Sequence, residues 1–218
     1  MAGVRVAIEI GSKRTFASAL DWPGWCRSGK TEQAAIEAMG AYGERYAVVP
    51  AAAGIPFPRK DMAEFDVIER LRGDATTDFG APGAAAALES KPMKPAEVER
   101  MCALVSATWK VFDGVVKKAP AELRKGPRGG GRDRDKMVEH VLGAEAGYGS
   151  SFGLKLKQPE VGDTKSIKAL RDAWLHAFRE GADGKPRRER GRPARYMARR
   201  IAWHTMDHAW EIEDRSEK

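Results

Sequence analysis

Cysteine is scarce in this chain. Only Cys26 and Cys102 occur, far apart and outside any CxxC pair, so no disulfide framework can be built. Long apolar runs are missing as well. The longest falls well short of the roughly 18 residues that a membrane-spanning helix needs. The N-terminal segment MAGVRVAIEIGSKR becomes charged too early to read as a signal peptide. Together these absences point to a reducing, cytoplasmic setting. Acidic residues are outnumbered, 31 against 38 Lys and Arg, giving a net charge of +7 and a pI near 9.5. That balance permits an anionic small molecule or nucleic acid as partner and requires neither. Histidine is rare too, with four in 218 residues, so where the histidines fall carries information.

What is present is ordinary for a soluble globular protein: 42% hydrophobic and 32% charged residues, enough for one large domain or two small ones. The fold class expected is α+β, with a small β-β-α-β domain over residues 1–73, a connection over 74–94, and a four-helix bundle over 95–218. In the first part Val4, Val6, Ile8 and Ile10 alternate with Arg5, Ala7 and Glu9, the pattern of a strand with one wet face. Gly11 to Lys13 reads as a hairpin connection and Phe16 to Leu20 as the return strand. Pro23-Gly24 reads as a turn. Thr31 is an N-cap candidate for a helix running to about Tyr46 and ending before Pro50, without a capping box because Ala34 stands three residues on. Phe65, Val67 and Leu71 place a further strand in the sheet. Residues 73–95 are rich in Gly, Ala, Pro and Asp, which reads as a connection with room for a short helix.

After that the pattern is helical. Val98, Met101, Cys102, Val105, Trp109, Phe112 and Val116 recur at helical spacing. Further helices are expected over about 134–149, 165–180 and 194–215, four in all around one core. His204 and His208 stand four apart in HTMDH, so their imidazoles lie one above the other on a helix, on the stripe of Met197 and Ile201. His140 sits one turn from Met137 and Ala144 on the second helix. Three inward imidazoles would repel if protonated and are satisfied as neutral ligands to a cation at roughly 2.0–2.1 Å. The competing reading is three hydrogen-bonded core histidines. His176 falls on the opposite side of its helix from Trp174 and is assigned to the surface.

One His on a second helix and HxxxH on a fourth resemble the DinB/YfiT-like superfamily of metalloenzymes. The resemblance covers about residues 92–215 and is carried by EHVLGAEAGY around His140 and RYMARRIAWHTMDHAWEI around His204 and His208. It implies an up-down-down-up bundle and a divalent metal, zinc or alternatively nickel, on those three histidines. Glu211, three residues after the last His, matches a further family position. It stands about one turn from His208, which makes it a candidate ligand, partner of a ligand or general base, the competing reading being a solvated carboxylate at a helix end. Members of the superfamily include metal-dependent thiol transferases and an isomerase that use a low-molecular-weight thiol. In such a bundle the second and fourth helices run antiparallel. The metal should then lie near the Gly-Arg loop over 124–134, where Arg128 and Arg132 are candidates to hold a carboxylate or phosphate of a small-molecule substrate.

GWCRSGKT, residues 24–31, satisfies the phosphate-loop pattern, with Lys30 and Thr31 in the roles of phosphate and magnesium ligands. The context argues against it. The first strand alternates where a buried parallel strand would be continuously apolar, and Trp25 and Cys26 crowd the loop. No nucleotide site is therefore expected. Pro23, Gly24, Gly29 and Thr31 instead resemble the turn and helix start of the HicB-like fold, over about residues 3–72. That resemblance implies a protein partner or an RNA-related function, and the competing reading is a docking or homodimerisation module. Two functions follow. One is a metal-dependent enzyme that activates water or a thiol for transfer or hydrolysis. The alternative is an RNA- or protein-binding module with a structural metal.

Overall fold

The computed structural model describes residues 3–57, 64–126 and 130–216. Four strands form one sheet in the order β3-β2-β1-β4: β1 (Val4–Ile10), β2 (Thr15–Ala19), β3 (Cys26–Gly29) and β4 (Phe65–Arg72). β1 pairs antiparallel with β2 and parallel with β4, and the β4 register slips by one residue between Val6↔Val67 and Ala7↔Glu69. The third strand was not expected. It takes up half of the phosphate-loop-like segment, residues 26–29, and Cys26 and the preceding Trp25 are fully buried. Gly24 makes the preceding turn possible. Its φ of +100° is one that side chains rarely adopt, and a Cβ there would press on Met206 and on the carbonyl of Ala202.

The helix expected to reach Tyr46 is broken into α1 (Glu32–Ala41), α2 (Gly43–Tyr46) and α3 (Val48–Ala52). Thr31 caps α1, its hydroxyl accepting from Ala34 N. The sequence places the end of this region before Pro50, whereas Pro50 lies inside α3. It falls within the first turn, where a missing N–H costs no intrahelical bond.

The expected wet face of β1 is covered at Ala7 and Glu9, and only Arg5 stays partly exposed. Glu9 is 3% exposed while Ile10, at the strand end, is 43% exposed. The cover is supplied by the segment expected as a plain connection. It folds into α4 (Ala75–Phe79) and a 3₁₀ turn at Ala87–Ser90. From this segment Thr77 Oγ1, Gly83 N and Ala84 N all donate to the Glu9 carboxylate, which explains how an acid can sit there. The segment also reaches the helices, because buried Glu89 pairs with buried Arg199 at 2.7 Å.

The helical half consists of α5 (Pro95–Lys118), α6 (Arg134–Phe152), α7 (Thr164–Glu180) and α8 (Ala194–Ser216). Pro95 opens α5 at its first position, where its fixed φ suits a helix start. Cross-helix pairs give the directions. Asp113–Arg171 and Glu99–Arg179 set α5 against α7. His140 beside His204, and Ser151 beside Met197, set α6 against α8. Arg195–Glu97, and Arg124 just beyond the end of α5 with Asp214 near the end of α8, align α5 with α8. Sheet and helices share one apolar cluster, in which Val6, Ile8 and Trp25 join Leu104, Phe112, Met137 and Trp210. Among the described residues no helix is long and apolar enough to cross a membrane.

Candidate metal centre

The antiparallel pairing of α6 and α8 brings His140, near the start of one, level with His204 and His208, in the later half of the other. The four-residue spacing on α8 stacks His204 and His208 with ring centroids 4.5 Å apart, and His140 lies 5.0 and 4.9 Å from them. One ligand nitrogen from each imidazole falls within 4.8 Å of the other two. His140 Nε2 and His204 Nε2 approach to 3.2 Å. Two nitrogens held 2.0–2.1 Å from a tetrahedral ion would lie about 3.3 Å apart, so the pair already has the spacing of coligands.

The protonation states agree with that reading. His204, 8% exposed, is held well below the usual imidazole value, first by burial and then by the charges of His208, His140, Arg200 and Arg132. His140 is lowered too, by burial foremost, then by His208 and Arg132, with Glu211 acting in the opposite sense. Near neutral pH both therefore present lone pairs, as a metal requires. His204 Nδ1 is buried with no hydrogen-bond partner among the described residues.

His208 has turned its Nδ1 to Glu211 Oε2 at 2.9 Å, which leaves Nε2 for an ion. Glu211 thus meets the centre through His208. Its other oxygen accepts from Arg215 at 2.8 Å. The His208 hydrogen bond is the main reason its carboxyl is lowered, with Arg215 adding to it. A carboxylate on the far nitrogen fixes ring orientation and raises the basicity of the ligating one.

His140 opens onto a cleft of about 590 Å³ also lined by Arg132, Lys136, Gly143, Ala144 and Gln158. Of the two arginines singled out in the Gly-Arg loop, Arg132 is on this cleft and Arg128 lies outside the described residues. The loop is tied to the end of α8, since Arg124 N donates to Arg215 O. His176 is on the surface, its side chain 74% exposed beside Glu180. Lys30 is exposed at the start of α1.

Sequence reasoning missed two neighbours of His204. Tyr148 lies 5.9 Å from it ring to ring, and the Arg200 guanidinium sits 5.4 Å from Tyr148 and 5.0 Å from Trp203 while donating to Pro82 O. The signal was available, because Tyr148 is two turns beyond His140 and Arg200 is one turn before His204. No family model, curated protein or solved structure matches this chain.

Proposed function

We propose that this protein is a metal-dependent enzyme of the DinB-like kind, acting on a small anionic substrate with water or a low-molecular-weight thiol as the nucleophile. The observation that carries the reading is the convergence of three imidazole nitrogens beside an open cleft. The helix directions, with α6 and α7 opposed to α5 and α8, support the bundle type. Three imidazoles suit zinc or nickel, and a bound ion of that kind lowers the pKa of a water or thiol on it. The chain's own residues do the rest. His140, His204 and His208 hold the ion, while Glu211 orients His208 and Arg215 keeps Glu211 ionised. Arg132 offers a cation to a carboxylate or phosphate on the cleft side. Three protein ligands leave a coordination position for substrate, which separates this reading from a closed structural site.

We also infer that residues 3–72 are a HicB-like unit serving as a docking module. The Pro23-Gly24 turn and the Gly29-x-Thr31 helix start support this. A Cβ at Gly29 would lie 2.6 Å from the Ala34 and Ala35 backbone, so strand and helix need glycine there.

The test is metal content and ligand exchange. Protein dialysed against zinc or nickel should retain about one ion per chain by elemental analysis. Cobalt-substituted protein should change its visible absorption when glutathione is added. Full occupancy in the His140→Ala, His204→Ala, His208→Ala triple variant would sink the site. A cobalt spectrum indifferent to thiol and to pH would remove the open position.

A further inference from the structure

A second cleft, separate from the histidines, lies where α5 faces α7. It has a volume of about 690 Å³ and is also lined by Val138 of α6 and by Val161 and Gly162 ahead of α7. The floor is apolar: the Trp109 ring, Val116, Val138, Ile167 and Leu175. Val161, 43% exposed at the rim, extends that surface to solvent. From Ser106 to Lys117 the cleft follows α5 for roughly 16 Å at 1.5 Å per residue.

The rim is charged in an unbalanced way. Arg171 spends its charge on Asp113, at 2.7 and 3.1 Å, and Lys168 on Asp172 at 2.5 Å. That accounts for both acids lining the cleft. Lys110 and Lys117 also line it, and among the described residues neither has a hydrogen-bond or ion-pair partner. A long apolar trough edged by two uncompensated ammonium groups has the complement of an amphipathic anion. Such a ligand can lay its hydrocarbon on Trp109 and Ile167 while its head group stays at the wet edge.

We propose that this α5–α7 cleft is a binding site for a small amphipathic carboxylate, an acyl or aryl-alkyl acid, whose head group pairs with Lys110 or Lys117. The lysine stems themselves cover apolar surface, which lets one side chain serve both parts of the ligand. None of His140, His204 and His208 lines this cleft, which makes it a place distinct from the histidine centre.

Dodecanoate and dodecylamine, below their micelle concentrations, separate charge from apolar contact. Dodecanoate should displace a fluorescent anionic probe, anilinonaphthalene sulfonate, while dodecylamine should not. Lys110→Glu/Lys117→Glu should weaken dodecanoate roughly tenfold and improve dodecylamine. Val161→Asp, at an exposed position that leaves folding intact, should weaken dodecanoate as well. Equal affinity for the two amphiphiles would overturn the proposal, as would dodecanoate binding unchanged in the double variant. Light scattering that shows a dimer broken by Val161→Asp would also overturn it, by assigning the cleft to a second copy of the chain.

Discussion

α6 carries a half-buried histidine and a buried glutamate only five residues apart, and their surroundings push them in opposite directions. His140 faces α8 and joins two further imidazoles. Burial foremost, then His208 and Arg132, favours its neutral form, and among the described residues its Nε2 meets only the Nε2 of His204, at 3.2 Å. Glu145 faces α5 and α7 at 1% exposure. Its carboxyl is raised to about 7, because desolvation outweighs the pull of Arg171, whose Nε lies 3.8 Å away. Neither Arg171 Nε nor Trp109 Nε1 completes a hydrogen bond to it. One cluster brings together three imidazoles that could hold a cation from outside. The other already holds a cation and an N–H and uses them imperfectly. A set of buried polar groups reads as a ligand site when all its members lack the same complement, and as a structural compromise when the complement is already inside.

The largest effect expected from breaking this contrast is at His204. Zinc in excess should raise the melting temperature of the native protein by binding the folded state. His204→Ala should abolish that rise. Protons compete for the same nitrogens, so metal should also be released in acid, below the ordinary imidazole value of about 6.5 because burial lowers His204 and His140. A zinc-dependent rise that persists in the variant would mean that these imidazoles are a packed cluster and no more.

Glu145 should show the opposite dependence. An acid raised in the folded state binds its proton more tightly there than in the unfolded chain. Its contribution is therefore greatest on the acid side of 4.5 and is lost as pH rises through about 7. A shift of that size corresponds to something on the order of 3 kcal/mol. Glu145→Gln, which mimics the neutral form, should flatten the difference in denaturant stability between pH 5 and pH 8. An unchanged pH profile in the variant would show that Arg171 compensates the carboxylate fully.

Smaller still is the effect at Glu211. Glu211→Gln retains the shape but weakens the hold on His208 Nδ1, and a loss of about ten- to a hundredfold in zinc affinity is expected from competition with a chromophoric chelator. No loss would mean that Glu211 serves Arg215 alone. Lys30→Ala should change almost nothing, within about 0.5 kcal/mol of stability, because Lys30 is exposed at a helix start. ATP binding that depends on Lys30 would reverse the reading of residues 24–31.

The sequence by itself determined what repeats locally. Helical spacing marks α5 through α8 within a few residues, since a face that must bury writes its period into the chain. The four-residue step of His204 and His208 likewise fixes their alignment before any tertiary contact forms. Thr31 could be read as a cap because a cap is a bond between near neighbours. Only the tertiary structure decided that the Ala7–Glu9 end of β1's expected wet face is covered, because the cover comes from residues some 70 positions later, through bonds from Thr77, Gly83 and Ala84 to Glu9. It also decided that His140 meets the α8 pair. A helix pattern states which face is buried and leaves open its partner, direction and level. Those follow from packing α6 against α8, where contacts 64 residues apart in the chain are made together or not at all.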